Sequence, residues 1–379
     1  MARRGGAVAL GLALLAGTVA LLAWNEGRAV RTARALGEGA RKVVEVDADR
    51  AAQAADGTLI HLVGEARVAK ALRDPLTGVA RDALRLRRTA ETLQWRRVSV
   101  GDDNDSRYDY RLAWSSARID SDAYPEEHRN PSPLPLPSAT LSSPDASLAA
   151  FALATAVVDA LTTFEPIALA PVELQAMEAA LGLAGIALDG ASGGSGSTED
   201  GPSVFLPYGG GTPAAPRVGD VRLRYAEVPQ GTVSVVARKT GARLDPFPTG
   251  AGVALAFARP GVHGAATLFA EAVAQNRFLT GALRGFGFLL LALAFRLLLG
   301  PLAALASLVP LLGGVARFGV LLVAVALAGA TALTTVAFAW LAFRPLTALG
   351  LLALAVALVV AFVRRPRAPS PTAASPSNP

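Results

Sequence analysis

The chain has 379 residues, 52% of them hydrophobic and only 17% charged, with a net charge of +6, a pI near 10.1 and no cysteine. A soluble protein this basic would suggest nucleic acid as partner, but much of the arginine excess borders long apolar segments, where lipid phosphates are nearer; nucleic acid is therefore set aside. The lack of cysteine excludes disulfides, a thiol nucleophile and a thiolate metal site.

In chain order, a short N-terminal stretch, 1–6, carries Arg3 and Arg4 and precedes an uncharged run over 7–24, AVALGLALLAGTVALLAW. About 20 apolar residues in a helix cross a hydrocarbon core, so this reads as the first span. It could instead be a secretory signal, but its apolar run is long for that and Trp24-Asn25-Glu26 is not a small-residue cleavage site. Three further apolar segments close the chain, at 285–309, 318–343 and 346–363, before a Pro/Ser/Ala-rich tail, 364–379, expected to be disordered and cytoplasmic. These segments lack the polar face that a soluble helix needs. The expected architecture is an α+β extracytoplasmic domain, 25–284, with a four-helix transmembrane region of one N-terminal and three C-terminal spans.

The domain opens with helical sequence from Glu26 to about Arg50. Arg28, Arg31 and Arg34 recur every third residue on it and are candidate lipid-headgroup contacts, weighed evenly against a plain solvated face. Thr58–Gly64 reads as a strand, with His61 opposite in facing to Ile60 and Leu62. Strands are also expected at Ala83–Arg88, Glu91–Val100 and Tyr108–Ile119, the acidic run Asp102–Asp105 being a turn and not a calcium loop. His128–Pro137 should cross the surface in extended form. Leu148–Leu161 and Pro171–Leu183 read as helices, the second with proline at its start. Gly190–Gly201 is a loop without the Lys-Ser/Thr ending of a phosphate cradle. Val221–Val228 and Thr232–Arg238 read as paired strands around Pro229-Gln230-Gly231, and Ala265–Arg277 as a helix feeding the second span.

Charge leaves orientation open. Arg3, Arg4, Arg317 and Arg364, Arg365 and Arg367 favour both termini inside, whereas Arg28, Arg31, Arg34, Arg277 and Arg284 nearly balance them from the other side. Arg296 is the clear intramembrane charge and hence a candidate intramembrane polar site, although it lies near Gly300-Pro301, where the helix is expected to break and let it reach the interface. Ala324, Ala328 and Ala332, with Gly329 and neighbouring threonines, give the third span the small surface of a helix packed inside a bundle or at a subunit interface.

Several segments resemble one family. Trp24–Gly39 (WNEGRAVRTARALGEG), Leu59–Gly64, Asp74-Pro75, Leu84–Trp95 (LRLRRTAETLQW), Arg129-Asn130-Pro131, Pro216–Tyr225 (PRVGDVRLRY), Val235–Phe247 and Phe343-Arg344-Pro345-Leu346 are similar, in order, to the transmembrane protein 43 family, also called LUMA. The resemblance implies a lumenal or extracytoplasmic domain, cytoplasmic termini, self-association and an organising role towards other membrane proteins. Eukaryotic members sit in the endoplasmic reticulum and inner nuclear membrane with lamins and emerin as partners. The alanine- and arginine-rich composition here reads as bacterial, which implies a cytoplasmic-membrane location and leaves those nuclear partners behind.

Catalytic, cofactor-binding and metal residues: none is expected from either the residues or the resemblance. The expected partners are the lipid bilayer, further copies of the chain and other membrane proteins. The competing class is a membrane-surface enzyme acting on lipid or envelope polymer, with an acid/base pair drawn from the carboxylates and His61, His128 and His263.

Overall fold

The computed structural model describes residues 2–100, 107–189, 202–306 and 313–343. It divides into two compact units: residues 38–269 form one, and residues 1–37 with 270–379 the other. The expected fourth span at 346–363, the acidic run at 102–105, the glycine-rich loop at 190–201, the end of the second span at 307–309 and the tail lie outside the described residues.

In the helical unit, three helices are long and apolar enough to cross a membrane: Gly6–Lys42, Ala265–Pro301 and Phe318–Phe343. They belong to α1 (Ala2–Lys42), α4 (Ala265–Ala306) and α5 (Gly313–Phe343). Leu22, Leu291 and Ala328 form the centre of their packing, with Leu15, Val19, Phe288, Phe295 and Ala332 around it. Ala324 and Ala328 are fully buried, as the small-residue stripe predicts for close helix approach. Gly287 serves the same end on α4, since a Cβ there would lie 2.6 Å from Leu22 Cδ2. Helix α4 runs through Pro301 to Ala306, so the expected break at Gly300-Pro301 is corrected; the proline costs one hydrogen bond but the helix does not end there.

The second unit is β-rich. In chain order its described strands are β1 (Val44–Glu45), β2 (Leu59–Val68), β3 (Leu72–Arg73), β4 (Ala80–Arg81), β5 (Ala83–Val100), β6 (Arg107–Ser115), β7 (Ala139–Ser142), β8 (Ala146–Leu148) and β9 (Phe151–Leu153). A four-residue helix, α2 (Thr155–Val158), β10 (Glu165–Ile167) and helix α3 (Pro171–Leu181) follow. Then come β11 (Ala187–Asp189), β12 (Ser203–Leu206), β13 (Val221–Pro229), β14 (Gly231–Thr240), β15 (Arg243–Asp245), β16 (Phe247–Pro248), β17 (Ala254–Leu255) and β18 (Phe257–Pro260).

Two sheets organise them. The first runs β1-β2-β8-β9-β15-β14-β18, and a further pairing of β2 with β14 closes five of these strands into a ring. Alternate residues Ile60, Leu62 and Ala66 on β2 and Val233, Val235 and Ala237 on β14 fill its interior with Leu148, Phe151, Leu153 and Leu244. The second sheet runs β11-β12-β13-β5-β6, with β10 against β13 and β7 against β5. Its apolar face, including Leu86, Ala90, Leu223 and Tyr225, packs with Met177 of α3. Helix α3 begins at Pro171, its Glu173 side chain accepting the Ala170 N–H at 2.7 Å, and ends at left-handed Gly182, φ 62°.

Two sequence expectations are corrected. Leu148–Leu161 is not one helix: Leu148 pairs with Phe151 in a tight β8–β9 hairpin and only Thr155–Val158 is helical. The alanine-rich run has high helix propensity, but strand pairing of β9 with β15 outweighs it. Strands β13 and β14 are both present, yet they do not pair with each other: β13 lies against β5 and β14 against β2. Gln230 fixes this crossing by accepting the Val68 N–H and donating to the Asp82 carbonyl, both at 3.0 Å, and Gly231 supplies φ 144°.

Candidate functional site

The helical unit holds a polar cluster just beyond its apolar packing. Glu26 is 2% exposed, and Arg284 grips it with both forks, Nε to Oε1 at 2.6 Å and Nη2 to Oε2 at 2.7 Å. Trp340 Nε1 of α5 donates to Oε2 at 2.9 Å, so one carboxylate ties three helices together. A buried carboxylate is tolerable only when its lone pairs are filled in this way.

Two residues along α1, Arg28 donates to Asn276 Oδ1 at 3.0 Å, to Thr280 Oγ1 at 3.0 Å and to Asn25 Oδ1 at 3.1 Å. Asn25, fully buried, donates to the Thr280 carbonyl at 3.2 Å, and Asn276 donates to the Ala29 carbonyl at 3.2 Å. The close seam between the helices extends to Gly27, where a Cβ would meet the Phe343 ring at 2.8 Å.

The arginine stripe thus divides by environment. Arg28 is half-buried and spends its guanidinium on protein acceptors, whereas Arg31 and Arg34 are exposed. Arg34 donates at 2.5 Å to the carbonyl of Phe343, the last described residue of α5, a favourable place for a cation. Arg296 is exposed on α4 and far along it from this cluster. Sequence reading missed Asn25, Glu26, Asn276, Thr280 and Trp340 as a group and counted Arg284 only as a flanking charge. Their signal was a polar residue set against the end of each apolar run.

The β-rich unit has its own buried polar centre. Arg88 points inward from β5 and pairs with Asp74, both nearly inaccessible. Asp74 also accepts from the Leu76 N–H at 3.0 Å and from the Tyr225 hydroxyl at 3.0 Å, while Thr77 meets that hydroxyl at 2.6 Å. Burial pushes the Asp74 carboxyl up, but the hydrogen bonds from Arg88, Leu76 and Tyr225 with the Arg88 charge outweigh it and hold it below the usual carboxylate range. Burial, reinforced by the neighbouring Asp74 charge, pushes the Tyr225 phenol well above its ordinary value, so it remains a donor. The group pins the Asp74–Val79 turn to the sheet.

Nearby, Asp220 accepts from the backbone N–H of Gly209 at 2.7 Å and of Arg217 at 2.6 Å, which shapes the loop before β13. His61 is buried against the His263 carbonyl at 2.8 Å, and the Ser234 hydroxyl accepts the His263 N–H at 2.8 Å. The three histidines do not converge: His128 stacks on Tyr110 of β6 in the other sheet, with ring centroids 4.2 Å apart. Among the described residues no group of three His, Asp or Glu is placed to hold a metal ion.

The β5–β6 ribbon carries exposed apolar and aromatic side chains beside arginines. Val100, Tyr108 and Leu112 are 47%, 56% and 45% exposed. Arg97 lies over the Tyr108 ring at 4.3 Å and beside Tyr124, and Arg222 over Trp114 at 4.7 Å. Behind the ribbon, Asn130 of the Arg-Asn-Pro motif takes the place of a strand: the Trp95 N–H donates to its Oδ1 at 2.6 Å, and its Nδ2 donates to the Trp95 carbonyl at 2.9 Å.

Three span-length apolar helices joined to a β-rich domain define an integral membrane protein with several membrane helices. The chain belongs to the transmembrane protein 43 family, whose model matches residues 90–345. It is 30% identical to transmembrane protein 43 of Rattus norvegicus over 91% of this chain and 87% of that one. The Homo sapiens protein is 29% identical, covering 92% of this chain and 87% of its own, and a Drosophila melanogaster homolog 27% identical, covering 90% of each. No solved structure matches the chain.

Proposed function

We propose that the chain is a non-enzymatic membrane scaffold: its helices anchor it, and its β-rich domain, held on the extracytoplasmic side with both termini cytoplasmic, binds other membrane proteins or lipid and assembles with copies of itself. The observation that carries this reading is the β5–β6 ribbon, where large apolar side chains stand exposed beside arginines. That composition, aromatic and aliphatic groups rimmed by guanidinium, suits a protein-binding surface. The polar cluster around Glu26 serves in this reading as a lock between helices, since all its named acceptors are filled from within the chain.

The test is extraction of the full chain from membranes in nanodiscs, followed by mass determination and mass spectrometry of what accompanies it. A stable assembly with reproducible protein or lipid companions supports the scaffold. A bare monomer from every membrane tested sinks it.

A further inference from the structure

The ribbon also specifies a partner. Strand β6 ends its sheet, and among the described residues nothing pairs with its outer edge from Tyr108 to Trp114. Which backbone groups face outward follows from β5. Trp95 gives its N–H and accepts at its carbonyl on the Asn130 side, so the Trp95–Leu112 pair exchanges no ladder hydrogen bonds and turns the Leu112 N–H and C=O outward. Leu93 does the same with Asp220 and Gly219, which turns Trp114 outward. By alternation Tyr108, Tyr110, Leu112 and Trp114 all present free backbone groups, a template for strand addition.

We propose, as a deepening of the scaffold reading, that this edge pairs antiparallel with the same edge of a second copy of the chain, the two-fold axis passing through Tyr110. The side chains favour this partner and this register. With the axis at Tyr110, Asp109 of each copy lies opposite Arg111 of the other, and Tyr108 opposite Leu112. Asp109 and Arg111 are exposed and, among the described residues, bridge each other at 2.9 Å along one strand. Moving the axis by one residue sets Asp109 against Asp109, or Arg111 against Arg111, in the closely spaced type of pair, where like charges repel. The strand is therefore complementary to itself in one register and repelled in its neighbours. Exposed Tyr108 and Leu112 would cover each other on the opposite face.

The natural absence of cysteine makes the register readable by cross-linking the full chain in its membrane. In an antiparallel pair about Tyr110, Tyr110→Cys meets its own copy within disulfide reach. Leu112→Cys lies about 14 Å from its copy and does not, but it cross-links when mixed with Tyr108→Cys. Because Tyr110 also stacks on His128, a second arm avoids it: Asp109→Arg should reduce the Tyr108–Leu112 cross-link several-fold, and Asp109→Arg with Arg111→Asp should restore it. Equal cross-linking of Tyr110→Cys and Leu112→Cys, no cross-link in the mixed pair, or no recovery on charge reversal overturns the proposal. If the uncross-linked wild-type chain is nevertheless an oligomer by mass, the strand pairing fails while the scaffold reading stands. If it is a monomer bound to other partners, only self-assembly is lost.

Discussion

At the scale of single residues, the chain concentrates its most consequential chemistry in two ion pairs built on buried carboxylates. Without Arg284 the buried Glu26 loses both of its guanidinium bonds, so Arg284→Ala should destabilise the helical unit by about 1–3 kcal/mol, less than for a fully buried pair because Arg284 is 41% exposed. Glu26→Gln with Arg284→Met removes both charges and should cost clearly less; thermal unfolding of the three proteins in the same nanodisc compares them. In the β-rich unit, Asp74 has a folded pKa below its unfolded value of about 3.9, so it stabilises the fold above that pH. That contribution drains away as pH falls through the folded value. Circular dichroism melts should show stability falling below about pH 4, and Asp74→Asn should be less stable at neutral pH with a flatter acid dependence. Sequence reading found neither pair. Arg88 sits between Arg87 and Thr89 in an arginine-rich strand, and only the inward register of β5 separates it from its exposed neighbour Arg87. His61 was legible as facing away from Ile60 and Leu62; its burial against residue 263 was not.

At the scale of elements, apolar pattern and proline and glycine punctuation carried most of the information. The first three spans, α3 with its Pro171 start, β2 and the β13 and β14 segments all lie where local sequence places them. The failures occurred where pairing partners are distant. Residues 148–161 are helix formers recruited into a sheet, and the Pro229–Gly231 turn joins two sheets although its sequence resembles a hairpin. Ala83–Arg88 and Glu91–Val100 proved to be one strand, Ala83–Val100, because β13 and β6 each pair along part of it. Among the helices, Gly287 allows α4 to approach Leu22. Gly287→Leu should therefore overpack the seam by about 1–3 kcal/mol. Leu22→Ala leaves a cavity on its own, so each single variant should melt lower than the pair combined, a non-additivity that a double-mutant cycle measures.

At the scale of the whole molecule, the sequence divides cleanly into apolar ends and a polar middle, and the two units follow that division. Its charge does not decide which side of the membrane the middle occupies. With the domain extracytoplasmic, a membrane-impermeant maleimide added to intact cells should label exposed Lys70→Cys and Val172→Cys but not Ala2→Cys; the reverse pattern inverts the topology. The Glu26–Arg284 pair also bears on how the protein is made. Its partners are 258 residues apart, so at about 5–20 residues per second a ribosome delivers Arg284 some tens of seconds after Glu26. Throughout that interval the first helix waits without the guanidinium that later grips its buried acid. Any chain cut short before residue 284 lacks that grip permanently, a chemical label by which membrane quality control could tell unfinished copies from finished ones.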